Sequence, residues 1–132
     1  MNQKFLYSGY ILTNDSIALL RSTLVNLSIE LYPNQYLHHT TIDFGEDNLP
    51  EQFVGQSRTL TVTGLVVNEY GMAFIVDCAY FSNNAIPHIT VCTKEGYSPV
   101  YSNILLSLNQ SEVIYYPLDV LIETFIQKIY LK

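Results

Sequence analysis

The sequence predicts an α+β domain built on a largely antiparallel sheet. Short segments rich in β-branched and aromatic residues alternate with turn residues, as strands joined in hairpins require. One stretch, Ile17, Leu20, Leu24, Leu27 and Leu31, repeats at spacings of three and four, the period of one helix face. A length of 132 residues suffices for one core and leaves little room for a second, so residues 1–132 read as a single domain.

Taken in order, Lys4 to Leu12 carries Phe, Tyr, Ile and Leu and reads as a strand. Thr13-Asn14-Asp15-Ser16 offers side-chain oxygens to the free N–H groups of a helix start, and Pro33 marks the end of the helix behind it. Tyr36 to Phe44 is a second strand, closed by Gly45-Glu46-Asp47-Asn48. Arg58 to Val67 alternates apolar residues with threonines, and Asn68-Glu69-Tyr70-Gly71 is a hairpin loop into Met72 to Tyr80. Ser82-Asn83-Asn84 breaks that pattern. Pro87 to Thr93 is another short strand, and Val100 to Leu108 a short helix. The tail, Val113 to Lys132, fits one or two strands around Pro117, although Leu118 to Tyr130 also fits a helix.

Composition narrows the function. Hydrophobic residues are 48% and charged ones 14%, which excludes a disordered segment. Twelve acids against six bases set the net charge at -6, arguing against duplex nucleic acid, whose sequence-independent affinity needs Lys and Arg on the phosphates. A small phosphorylated ligand remains compatible. Cys78 and Cys92 lack CxxC spacing, so the expected compartment is a reducing cytoplasm. No run approaches 18 apolar residues and MNQKFLYSGY lacks the features of a signal peptide, so no membrane partner is expected.

The three histidines lie in two similar segments, Leu37-His38-His39-Thr40-Thr41-Ile42 and Pro87-His88-Ile89-Thr90-Val91. Each holds His-x-Thr. Ser and Thr number 20 of 132, so a single coincidence is expected for about one histidine in seven, and the pair on two predicted strands stands out from that background. Residues i and i+2 of a strand share a face, so each motif presents an imidazole beside a hydroxyl. Facing one another across a cleft, the two strands could serve a phosphodiester. The hydroxyls would hold the non-bridging oxygens, one neutral imidazole would take a proton, and a protonated one would deliver a proton to the leaving oxygen. An ordinary histidine pKa near 6.5 lets both forms coexist. That chemistry calls for no metal or cofactor. The histidines with Asp43 or Asp77 also lack zinc-ligand spacing.

At His39/Thr41 and His88/Thr90 the sequence resembles the two-histidine (2H) phosphoesterases, the LigT-like superfamily with paired H-x-T/S motifs. The resemblance implies a bilobed α+β fold with helices packed outside a mainly antiparallel sheet, and with both motif strands lining a central cleft. It implies a metal-independent phosphodiesterase acting on a small cyclic nucleotide or cyclic oligonucleotide. Known members open 2′,3′-cyclic phosphates, act on 2′-5′ linkages or, in the phage anti-CBASS branch, destroy cyclic-oligonucleotide immune signals. The run from Thr93 to Asn103 looks most like the viral and RNA-ligase-associated branches. A viral member would work in the host cytoplasm. RNA-end processing and non-catalytic nucleotide sequestration are the alternatives.

The family flanks its motif with apolar residues; the second motif complies through Ile89 and Val91, whereas His38 and Thr40 occupy the flanks of the first. Two registers are therefore open, His38 with Thr40 or His39 with Thr41. The second is preferred, because the opposite face then ends on Ile42 and Phe44. Cys92 should share the face of Thr90 as a small buried thiol in the cleft wall. Lys94, just past the second motif, is a candidate phosphate contact. Tyr10 first and Tyr97 second are candidates to stack a nucleobase.

Overall fold

The computed structural model describes residues 4–77, 82 and 84–131. Cys78, Ala79 and Tyr80, the last three residues of the expected strand Met72 to Tyr80, lie outside them, as does Asn83. Among the described residues seven strands and two α-helices form: β1 (Lys4–Leu12), α1 (Asn14–Asn26), β2 (Asn34–Gln35), β3 (His39–Phe44), β4 (Ser57–Val67), β5 (Gly71–Asp77), β6 (His88–Thr93), α2 (Tyr101–Leu105) and β7 (Ile114–Leu131). Short 3-10 turns sit at Glu51–Phe53 and Gln110–Glu112.

Every pairing is antiparallel, and the strand order is β2-β6-β3-β1-β7-β4-β5. β5 also pairs with β6, so the sheet closes on itself. The antiparallel α+β expectation holds, with one continuous hydrogen-bonded sheet. Closure leaves an inner face that buries Tyr10, Val62, Phe74, Ile89, Val91, Ile122 and Ile126, with Leu20 and Leu24 of α1 against them. A smaller cluster of Val66, Ala73 and Leu105 lies where α2 packs on the other side of β4 and β5. Among the described residues no helix is long and apolar enough to cross a membrane.

Local chemistry explains most boundaries. Thr13 caps α1, its hydroxyl accepting from the Ser16 N–H at 3.2 Å. The Ser16 hydroxyl donates to the Glu123 carbonyl and accepts the Glu123 N–H, tying the first helical turn to β7. α1 stops at Asn26, earlier than the spacing to Leu31 suggests. Ser28 takes a left-handed φ of 57°, and Leu27, Ile29 and Leu31 reach the core from irregular chain instead. The tail is one 18-residue strand. Leu118, Val120, Ile122, Thr124 and Ile126 turn inward at a period of two, which no helix could do. Pro117 is tolerated because it stands opposite Gly64, where β4 has a bulge.

The expected strand Tyr36 to Phe44 is interrupted. Leu37 has a φ of 54°, and the pairing with β6 slips there: the Leu37 N–H donates to the Thr90 carbonyl, whereas Thr40 pairs with Ile89. Two residues of the first segment, His38 and His39, thus fit where β6 advances by one. This irregularity falls on the first His-x-Thr motif.

Candidate active site

The site follows from strand parity. Thr40 of β3 pairs with Ile89 of β6, and both are fully buried in the core. Their neighbours His39, Thr41, His88 and Thr90 therefore turn to the opposite face. On β5, Ala73 pairs with Thr90 and Ile75 with His88, and these residues pack on the α2 side of the sheet. The two motifs thus open onto one surface outside the main core. In the first, His39 Nε2 lies 3.2 Å from Thr41 Oγ1. This is the His39/Thr41 register. His38 is exposed, and the Thr40 hydroxyl is buried with no hydrogen-bond partner among the described residues.

Each imidazole is held at its Nδ1. His88 donates its Nδ1–H to the Ile86 carbonyl at 2.8 Å, which leaves Nε2 for other work. His39 Nδ1 lies 3.0 Å from Nδ1 of His38, and the two rings meet edge to face. Tyr7 of β1 stacks on the His39 ring, centroids 4.3 Å apart. Gly9, two residues past Tyr7 on β1, leaves room for the His39 ring: a Cβ there would stand 3.3 Å from His39 Cδ2 and 2.9 Å from the Thr40 carbonyl oxygen.

Burial, followed by the neighbouring His38 and His88, pushes the His39 pKa down to about 4. Burial lowers that of His88 too, against an opposing pull from the Ile86 carbonyl. The expectation that ordinary histidine pKa values let one ring be charged at neutral pH is corrected here. Both rings favour the neutral form in the free protein, and a bound phosphate, being anionic, would favour charging them.

Thr90 Oγ1 lies 2.8 Å from the hydroxyl of Ser102, a buried residue of α2. Ser102 and Tyr7 both adjoin the motif residues, and no sequence signal marks either. Ser102 sits twelve positions beyond Thr90, a spacing without periodic meaning. Tyr7 is one of eleven tyrosines, singled out only by the β1–β3 pairing.

Three candidates fall elsewhere. Tyr10 pairs with Thr40 and is 0% exposed on the core face, so it offers no ring to a base. Lys94 lies past the far end of β6 from His88, its Nζ 5.4 Å from the centroid of the Tyr32 ring. Five steps along β6 from His88 to Thr93 already span about 16 Å. Tyr97 belongs to that far end too, stacked on Tyr70 at 4.8 Å, and its carbonyl accepts from the Thr93 hydroxyl. Cys92 is buried as expected, but in the core rather than the site wall. A bulge at Val91 causes this: Met72 pairs with Cys92 and Ala73 with Thr90, so the alternation flips. Burial raises the Cys92 pKa, as suits an inert thiol. Among the described residues no three His, Cys, Asp or Glu side chains converge as metal ligands.

The antiparallel sheet with its two neighbouring motif strands agrees with the two-histidine phosphoesterases that the motifs resemble. The fungal tRNA ligase phosphodiesterase domain matches residues 30–115, from the chain entering β2 through both motifs to the start of β7, and this chain belongs to that family within the 2H phosphoesterase superfamily. Of the two branches that the run from Thr93 to Asn103 resembles, the RNA-ligase-associated one is matched. No curated protein matches the chain at a significant level.

Proposed function

We propose that this protein is an RNA-end phosphodiesterase that opens a terminal 2′,3′-cyclic phosphate, with His39, Thr41, His88 and Thr90 as its catalytic set. The observation that supports this best is the shared face of the two motifs within a chain of the tRNA ligase phosphodiesterase family. His39 acts as general base. Its ring carries the stronger set of influences toward the neutral form, and its Nε2 points at the Thr41 hydroxyl. It takes a proton from water as the water oxygen bonds to phosphorus. His88, whose Nδ1–H is anchored on the Ile86 carbonyl, protonates the ribose oxygen as its bond to phosphorus breaks. The Thr41 and Thr90 hydroxyls donate to the non-bridging oxygens, with Ser102 aligning Thr90.

A second reading, hydrolysis of a small cyclic nucleotide or cyclic oligonucleotide, is favoured by charge. The chain has six basic residues, and Lys128 is spent on Asp47 and Glu51 at 2.7 and 2.9 Å. Such a surface gives long RNA little to hold.

The deciding assay follows turnover in EDTA of a short RNA bearing a 2′,3′-cyclic end, beside 2′,3′-cyclic mononucleotides and cyclic di- and trinucleotides. The RNA end should be opened, and His39→Ala and His88→Ala should each lose at least about 100-fold in kcat. An intact RNA end with a hydrolysed cyclic nucleotide would select the second reading. Tight binding of an intact ligand would select sequestration.

A further inference from the structure

His38 fills a position where the motif calls for an apolar residue, and the structure gives its ring a partner. Its Nδ1 lies 3.0 Å from Nδ1 of His39, while the ring itself is exposed. One proton lies between two ring nitrogens at that distance, so one ring donates and the other accepts. The choice decides what His39 can do. With the proton on His39 Nδ1, its Nε2 carries a bare lone pair directed at Thr41 Oγ1 and the space before it. With the proton on His38 Nδ1, His39 must carry its own on Nε2, and a neutral ring in that form cannot take another there.

We propose that His38 is a positioning residue for His39: its Nδ1 accepts the His39 Nδ1–H and fixes the tautomer that leaves Nε2 free to take a proton. This deepens the reading of His39 as general base and rests on it. In the step, an O–H bond of water breaks and an Nε2–H bond forms on His39, while the Nδ1–H stays on His39 and keeps its hydrogen bond to His38. The other described groups around His39 leave this role to His38. Tyr7 from β1 meets the ring face to face and so reaches neither nitrogen in its plane, Thr41 faces Nε2, and His88 from β6 holds the Ile86 carbonyl through its own Nδ1. The carboxylate that orients the base in a serine-protease triad has no counterpart among these contacts; a neutral imidazole takes its place.

Two measurements test this. Nitrogen-15 NMR of the imidazoles reads the tautomer without any substrate. Wild-type His39 at pH 7 should be protonated on Nδ1 and bare on Nε2, and His38→Phe should shift it toward the Nε2–H form. Kinetics on the RNA with a cyclic end read the consequence. His38→Phe should lower kcat about 10- to 100-fold with KM little changed. His38→Asn, whose amide oxygen can accept the same hydrogen, should recover most of the rate. His38→Asp should move the acid limb of the pH–rate profile up by about one unit or more, because a carboxylate favours the charged base. Wild-type His39 found protonated on Nε2 would overturn the proposal, as would His38→Phe with wild-type kcat and an unmoved acid limb. An inactive wild type would count against the phosphodiesterase reading, and the tautomer measurement would still decide the role of His38.

Discussion

Thr40 and Thr41 are adjacent, chemically identical and oppositely placed, so replacing each by valine separates the two sheet faces in one experiment. Thr40 is 0% exposed, and its hydroxyl lies in the core without a hydrogen-bond partner among the described residues. An unsatisfied buried hydroxyl costs about 1–3 kcal/mol. Valine fills the same volume with a methyl group, so Thr40→Val should stabilise the protein by roughly 1–2 kcal/mol. At about 2.1 cal/mol/K per residue, the unfolding entropy of 132 residues is on the order of 0.28 kcal/mol/K, and the melting temperature should rise by roughly 4–7 °C. Activity should stay within about twofold, since that side chain faces away from His39. Thr41→Val should do the reverse. Its hydroxyl is partly exposed and meets His39 Nε2 at 3.2 Å. Stability should change by at most about 0.5 kcal/mol, while kcat on the cyclic end falls roughly 100-fold for the lost phosphate donor. Calorimetry and the turnover assay read the four numbers. A destabilised Thr40→Val that has also lost activity would refute the parity argument and restore the His38/Thr40 register.

Two further outcomes follow from the same face. Ser102→Ala removes the hydroxyl that meets Thr90 at 2.8 Å; kcat should drop several-fold and stability by about 1 kcal/mol, whereas Ser102→Thr, which keeps the oxygen, should restore part of both. Acid should weaken the fold through the half-buried imidazole of His39 and the buried one of His88. The folded pKa of His39 is pushed down to about 4 from an ordinary 6.5, so between those values the unfolded chain binds the proton and the native one resists it. This contribution is fully present above pH 6.5 and is lost as pH falls toward 4, up to about 3 kcal/mol from His39, with His88 adding in the same direction. Urea midpoints at pH 7 and 4.5 should therefore differ less in His39→Gln than in wild type; an equal difference would show that His39 is not buried neutral.

Much of this was legible in the sequence because it depends on neighbours along the chain. A period of two or four, a Thr-x-x-Ser start to a helix, and Asn68 turning back on the Tyr70 and Gly71 N–H groups are local events. β1 and β4 formed close to the expected bounds for that reason. The pairing of His with Thr two places on is local too: in each motif it needs only an extended backbone.

Tertiary structure decided which side of the sheet each residue occupies and what lies across from it. Parity propagates along a strand only while the ladder is regular, and here bulges at Val91 and around Leu37 reset it. That is why Cys92 turned to the core and why the first motif could not be read unambiguously from its own residues. Tyr10 and Tyr7 look alike as sequence, both aromatic on one strand, yet antiparallel pairing with β3 sends one into the core and lays the other on His39. The closed sheet also brought Ser102 to Thr90 and set the burial that lowers both histidine pKa values. The chain alone determined that two imidazole–hydroxyl pairs would exist. Only long-range pairing and the loss of water it imposes determined that they share one face, because contact across strands and desolvation are properties of the assembled sheet.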